Sequence, residues 1–265
     1  EENSNLPSYV ERMRKMNLSN TIFVDNTASG ELPKHYAAIL DSSISISTPN
    51  KIATSSSYEQ YLRLKQLAKK RGVQFVYETN VGAGLPVLST LKDLIHSGDH
   101  ILKIEGVISG SMSFIFNSFD GEKPFSEIVK KAKEKGYTEP DPREDLGGKD
   151  MRRKLIILAR EAGFAVEEKD ITINSILPEA AMNASSVEDF FEELVRSDEA
   201  FAEKQKAAAD EGNVLRMVAK FEGGKGTVGL ETYEQAHPFF GLNGSDNMIV
   251  FTTNRYKDTP LVVRG

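Results

Sequence analysis

Three side chains in the stretch from Gly136 to Gly163, GYTEPDPREDLGGKDMRRKLIILAREAG, have the types and spacing for proton chemistry on a small polar substrate. Asp150 and Lys154 stand four positions apart, so on a helix they project from one face as a carboxylate beside an amine. Glu139 precedes them in a loop where Pro140 and Pro142 fix φ and remove backbone donors, which holds Glu139 and Asp141 on stiff, non-helical backbone. A rigid carboxylate suits the binding of an ammonium group, because little freedom is lost on contact. A lysine serves as a base only when neutral, and a neighbouring carboxylate favours its charged form, so Lys154 beside Asp150 suits the donation of a proton. The plainer reading is an ordinary surface ion pair after a polar loop. The proline and glycine boundaries of the loop argue against it.

These groups need a frame. Gly147-Gly148 breaks the chain, and a helix follows from about Asp150, with Met151, Leu155, Leu158 and Ala162 forming one buried stripe and Gly163 as its stop. Upstream, Tyr9 to Met16 reads as a short helix. The strand Asn20 to Asp25, the helix Pro33 to Leu40 and the strand Ser43 to Ser47 then make half of a parallel α/β sheet. Ligands of such sheets sit beyond the carboxyl ends of the strands, where Thr27 and Lys51 fall; both also fit as simple turn residues. A helix from Ser57 to Arg71 leads to the strand Gln74 to Glu78 and a loop ending at Pro86. There Glu78 and the flexible Gly82 and Gly84 could turn oxygens toward a cation. The same loop fails the G-x-G-x-x-G pattern because position 87 is Val. His96 and His100 flank Gly98 and read as exposed loop histidines rather than a zinc pair.

After a helix from Pro86 to His96 come the strand Leu102 to Ser109, an apolar helix start at Phe114 to Asn117 and an amphipathic helix over 125–135. A capping box at Ser185 to Glu188 opens a helical region to Glu211, with Phe190, Phe191, Leu194 and Phe201 as core. Val214 to Phe221 and Thr227 to Tyr233 form a hairpin, and Met248 to Thr253 and Pro260 to Val263 are further strands. The expected fold class is thus α/β plus α+β: a parallel sheet, then a mixed or antiparallel sheet covered by helices.

Composition narrows the partners. With 265 residues, 39% hydrophobic and 27% charged, the chain can bury a sizeable core. A net charge of -6 without a basic, aromatic-interleaved run argues against nucleic acid and anionic membranes, and for a small molecule or another protein. No apolar run reaches the roughly 20 residues of a spanning helix. The opening EENSNLPSYVERMRKM has no signal-peptide pattern, and zero cysteines remove disulfides and thiolate metal sites, so a reducing, cytoplasmic setting is expected.

Four strings, STPNK, YETNVGAGLP, GVISGSMSFIFN and GYTEPDPREDLGGKDMRRK, occur in this order and together resemble homoserine dehydrogenase. The resemblance runs from Thr21 to Gly265, and KDMRRKLIILAREAG looks most like the dehydrogenase portion of bifunctional aspartokinase–homoserine dehydrogenases. It implies a Rossmann-like NAD(P) domain over 1–51, a catalytic and dimerisation domain over 52–251, and the start of a return to the first domain over 252–265. It implies reduction of L-aspartate 4-semialdehyde to L-homoserine, toward threonine and methionine. By the same resemblance Lys154 transfers the proton, Glu139 and Asp150 bind substrate, and Thr27, Lys51 and Gly136 lie on the cofactor side. Glu78 with the carbonyls of Val81, Ala83 and Leu85 would hold a monovalent cation, sodium or potassium. A homodimer or higher homo-oligomer and an upstream aspartokinase domain are implied as partners. The family's opening strand with its phosphate loop, and its closing glycine-rich turn and helix, are not found in this sequence, which is therefore expected to be a piece cut at both ends. The alternative is a non-catalytic dimerisation and substrate-binding fragment. A hydrolase built on Glu139 and Asp150 is disfavoured, since no nucleophile elbow accompanies them.

Overall fold

The computed structural model describes residues 5–265 and divides into two units, Glu1–Gly84 and Leu85–Gly265. In the first, β1 (Ile22–Val24), β2 (Ser45–Ser47) and β3 (Phe75–Val76) form a parallel sheet in the order β1-β2-β3. Alternation along the strands sends Phe23, Ile46 and Phe75 to one face, all buried. The ring of Tyr36 meets Phe23 and Phe75 edge-on at 6.5 and 6.0 Å, which seals that face under the helices Tyr36–Asp41 and Tyr58–Arg71. Ile22, Val24 and Val76 point the other way and stay exposed, at 62%, 57% and 41%.

In the second unit β4 (Ile101–Val107), β5 (Ile171–Ile173), β6 (Val214–Glu222), β7 (Lys225–Tyr233), β8 (Met248–Thr253) and β9 (Leu261–Arg264) make a six-stranded sheet in the order β5-β7-β6-β4-β8-β9. Only β5–β7 is parallel; the other pairs are antiparallel. The β6–β7 turn is Gly223-Gly224, both at positive φ (58° and 81°), the tight hairpin geometry that glycine accepts without strain. One face of this sheet carries Met217, Phe221, Val228, Ile249 and Phe251, all buried. The helix Lys149–Glu161 lies on it so closely that a Cβ on Gly226 would stand 3.0 Å from a Leu155 methyl. The opposite face holds a second apolar cluster, Val107, Val218, Met248 and Val250, under Phe239 and Leu242 of the β7–β8 connection.

Most expected elements are present; β1 to β4 are shorter than expected, while β6 and β7 run slightly longer and β8 matches. Two differences alter the organisation. Phe75–Val76 pairs with β2, so the segment 52–84 belongs to the first unit, although the sequence suggests a boundary after Lys51; β9 pairs with β8, so the last residues stay in the second sheet. The physical reason in both cases is hydrogen bonding between segments far apart in sequence, which local composition does not report. The short strand β5 and the helix Arg143–Leu146 have no counterpart in the sequence reading.

Candidate active site

Lys154 sits one turn into the Lys149–Glu161 helix, whose start is fixed by Gly148 at φ 70°. A Cβ on Gly148 would press on Val228, Ile173 and Met217 at 3.2 to 3.6 Å, so only glycine lets the helix begin this close to the sheet. The Lys154 side chain is 17% exposed. Its Nζ donates to the carbonyl of Ile108, 2.7 Å away at the end of β4, and pairs with the Asp150 carboxylate at 2.9 Å. An ammonium has three N–H bonds, so two partners fix its direction and a third hydrogen can point at a substrate oxygen. The carbonyl and the carboxylate are both acceptors, so Nζ is held as a hydrogen-bond donor.

Glu139 is exposed and enters the arrangement through its main chain: its N–H donates to Asp145 Oδ2 at 2.8 Å. The other Asp145 oxygen accepts from the Ser111 hydroxyl at 2.8 Å. On the far side of the loop Asp141 is gripped by the Arg143 guanidinium at 2.6 to 3.0 Å, which holds its carboxyl below the usual carboxylate range. Arg143 also donates to the Ala184 carbonyl, tying the loop to the following helices. Gly136, at φ 73°, ends the helix Phe125–Glu134 by donating to Lys133 O, while Tyr137 N–H reaches Ala132 O; this is the left-handed closure that glycine favours. A cleft of about 680 Å³ runs past Gly136, Thr138 and Glu139, with Lys130, Val187 and Phe191 opposite.

In the first unit Thr27 and Lys51 follow β1 and β2 at their carboxyl ends, as expected for a parallel sheet. The Thr27 N–H and hydroxyl both donate to Asp25, at 2.8 and 2.7 Å. Asp25 is 1% exposed; burial alone would raise its pKa, but hydrogen bonds from Tyr36, Thr27 and Asn50 outweigh that and lower it. Burial and the Asp25 partner push the Tyr36 hydroxyl up. Lys51 precedes the short helix Ile52–Ser55 and is half-buried. Glu78 opens a single 3-10 turn, Val81 is fully buried, Ala83 adopts φ 51°, and the Leu85 carbonyl accepts from Val87 N–H at 2.8 Å. Among the described residues no group of three or more His, Cys, Asp or Glu side chains could hold a metal ion, and no helix is long and apolar enough to cross a membrane.

The structure thus joins Asp150 to Lys154 directly and brings Glu139 by its backbone to the same end of β4. Asp145, Ser111 and the Ile108 carbonyl, which make that link, were not singled out from the sequence. Their only advance signal is position: Asp145 lies inside the loop string, and Ser111 opens the helix after β4.

Known proteins bear on this arrangement. Residues 86–265 match the family model described as homoserine dehydrogenase, and residues 1–78 match the homoserine dehydrogenase NAD-binding domain. A maize chloroplastic bifunctional aspartokinase/homoserine dehydrogenase is 45% identical over all of this chain, which spans 29% of that protein. A fission yeast homoserine dehydrogenase is 46% identical over 92% of the chain and 67% of its own length. The crystal structure of a Candida auris protein of unknown function superposes with a TM-score of 0.94 at 37% identity, covering 100% of this chain and 76% of that one. With two thirds of the chain inside one family model and a relative of this identity matched over two thirds of its length, the chain belongs to the homoserine dehydrogenase family.

Proposed function

We propose that this chain carries the active site for NAD(P)-dependent reduction of L-aspartate 4-semialdehyde to L-homoserine, on the route to threonine and methionine. The observation that carries the reading is the Lys154 ammonium, fixed by Asp150 at 2.9 Å and Ile108 O at 2.7 Å with one N–H to spare. The dinucleotide, when bound, supplies the hydride. Lys154 then gives its proton to the developing alkoxide oxygen, so that hydride and proton together convert the aldehyde to the alcohol. Asp150 aims the amine, and Glu139 offers its exposed carboxylate to the substrate ammonium group.

Thr27 and Lys51, beyond the carboxyl ends of two parallel strands, suit the cofactor side, as does the exposed Gly136. Glu78 with the carbonyls of Val81, Ala83 and Leu85 would hold sodium or potassium: one carboxylate and neutral carbonyls suit a singly charged ion, and the left-handed Ala83 turns the backbone as such a cage requires. A homodimer, an aspartokinase domain upstream in the same polypeptide and a cytoplasmic setting complete the proposal. The fusion is supported by the naming of the bifunctional relatives, of which this chain spans about three tenths. The plant relatives are named as chloroplastic.

The test is NADPH oxidation with aspartate semialdehyde, together with calorimetric titration of NADPH. Turnover in which Glu139→Gln raises the KM for the amino-acid substrate about tenfold, with Tm unchanged, supports the assignment. No NADPH affinity and no turnover favour the alternative, a non-catalytic dimerisation and substrate-binding fragment unable to bind NAD(P).

A further inference from the structure

The two groups assigned to chemistry and to substrate binding, Lys154 and Glu139, are fastened to one short turn. β4 ends at Val107 and the next helix, Gly110–Ser118, begins three residues later. From this turn the Ile108 carbonyl takes a hydrogen bond from Lys154 Nζ at 2.7 Å. The hydroxyl of Ser111, only 6% exposed, donates to Asp145 Oδ1 at 2.8 Å, and Asp145 Oδ2 accepts the Glu139 N–H at 2.8 Å. Ser109 caps the helix by accepting from Met112 N–H at 3.3 Å, and its oxygen lies 2.9 Å from that of Ser111, which braces the Ser111 hydroxyl. The Tyr137 ring, two residues before Glu139, stacks on Phe114 of the same helix with centroids 4.2 Å apart.

Building on the functional reading above, we infer that Asp145 and Ser111 are positioning residues that set the separation between the Glu139 carboxylate and the Lys154 ammonium. Order in the loop alone does not require them, because Arg143 already clamps Asp141 and ties it to Ala184 from the other side. What Asp145 adds is register. It places one oxygen on each of two segments, and one of those segments is the turn that also holds Lys154. A charge-assisted bond at each oxygen is short and directional, so the Glu139 Cα is referenced to the turn through two contacts rather than through 15 residues of chain, counted from Glu139 to Lys154. An error of about 1 Å in such a spacing is enough to cost a large part of a reaction rate.

Single-residue amide exchange reads this tether without any turnover. In Ser111→Ala and Asp145→Asn the Glu139 amide is expected to exchange about tenfold faster or more, while the Gly147 amide, bonded to Arg143 O, serves as the folding control. Ser111→Thr, which keeps the hydroxyl, restores protection. In parallel, the homoserine Kd by calorimetry rises about tenfold in Ser111→Ala and returns in Ser111→Thr, with Tm little changed. Unaltered Glu139 exchange in both variants overturns the inference, and so does faster exchange with unaltered homoserine affinity. A wild-type chain that takes up no homoserine at all refutes the functional reading and the substrate half of this inference together; the exchange result then tells that failure apart from a missing tether.

Discussion

Two carboxylate clusters, one in each unit, use the same residue types to opposite ends. Asp25 is 1% exposed and meets four donors: Thr27 N–H and Thr27 hydroxyl at one oxygen, Tyr36 hydroxyl and Asn50 amide at the other. A carboxylate has about four lone-pair sites, so Asp25 is saturated and has nothing left to offer a ligand. Asp150, with a side chain 45% exposed, and the exposed Glu139 remain open to solvent, beside a lysine whose direction is fixed but whose donors are not all spent. A saturated buried carboxylate organises a turn; an accessible one beside an oriented cation is what the proposed function calls for. Thr27 acquires a structural task from this contrast, since it helps to neutralise the cost of burying Asp25.

The contrast breaks most sharply at Lys154. Lys154→Ala should lower kcat by about a hundredfold to ten-thousandfold, the usual contribution of a positioned acid or base. NADPH affinity should be retained, and Tm should fall little, because an ion pair with a partner that exposed is worth under about 1 kcal/mol. A variant with near-normal turnover removes the assigned role. At Asp25 the balance reverses. Asp25→Ala strips four donors of their acceptor, two of them on the buried side chains of Tyr36 and Asn50, at a cost of about 3 kcal/mol. Denaturant unfolding should show this loss in the first unit, with the second unit's transition in place. Loss of activity without loss of stability would mean that Asp25, too, is a functional group.

The contrast also marks how much was legible beforehand. Lys154, Asp150 and the proline-held loop are local features, encoded in spacings of a few residues, and the helix that carries them appears within one residue of its expected start. The parallel order of β1 and β2 follows from strand, helix and strand in sequence. Asp145 was passed over because its partners are a backbone N–H six residues back and a hydroxyl 34 residues back, and only the folded chain brings those together. The unit boundary moved for a similar reason: Phe75–Val76 is a two-residue strand whose identity lies in its pairing with Ile46 and Ser47. The Asp25 network was invisible in sequence, where Asp25 looks like the last residue of a strand.

A third carboxylate sharpens the comparison by pH. Glu105 of β4 is 4% exposed, with Lys103 at 2.6 Å and His237 at 3.9 Å. Burial pushes its pKa up, yet His237 and Lys103 together pull it down to about 2, from an ordinary 4.5. A carboxyl whose folded pKa is depressed binds protons more readily when unfolded. Its contribution, about 3 kcal/mol, is therefore complete above roughly pH 4.5 and lost as pH falls toward 2. Chemical unfolding between pH 5 and pH 2 should show that slope in the second unit, and Glu105→Gln should flatten it. An unchanged slope would mean that Glu105 is as well solvated when folded as when unfolded.

The smallest effect belongs to the proposed cation, where backbone oxygens replace side chains as the chemical groups. Ala83 holds φ 51°, a left-handed conformation that costs a residue with a Cβ on the order of 1 kcal/mol and is common only for glycine. Gly82 before it is also left-handed, at φ 80°, so two successive peptides are turned from the ordinary direction. A persistent strain of this kind requires an offsetting interaction, and carbonyl oxygens gathered on a cation would provide one. A cation present several-fold above its Kd stabilises by about 1 kcal/mol, which for a unit of the size of Glu1–Gly84 is roughly 4–8 °C in Tm. Replacing sodium and potassium by tetramethylammonium at constant ionic strength should therefore lower Tm by that amount, and Glu78→Gln should abolish the difference between the salts. Ala83→Gly separates strain from binding: it relieves the backbone, so Tm in tetramethylammonium should rise slightly while the response to sodium persists. Equal Tm in all three salts for the wild-type chain would leave the left-handed Ala83 as a turn with no ion behind it.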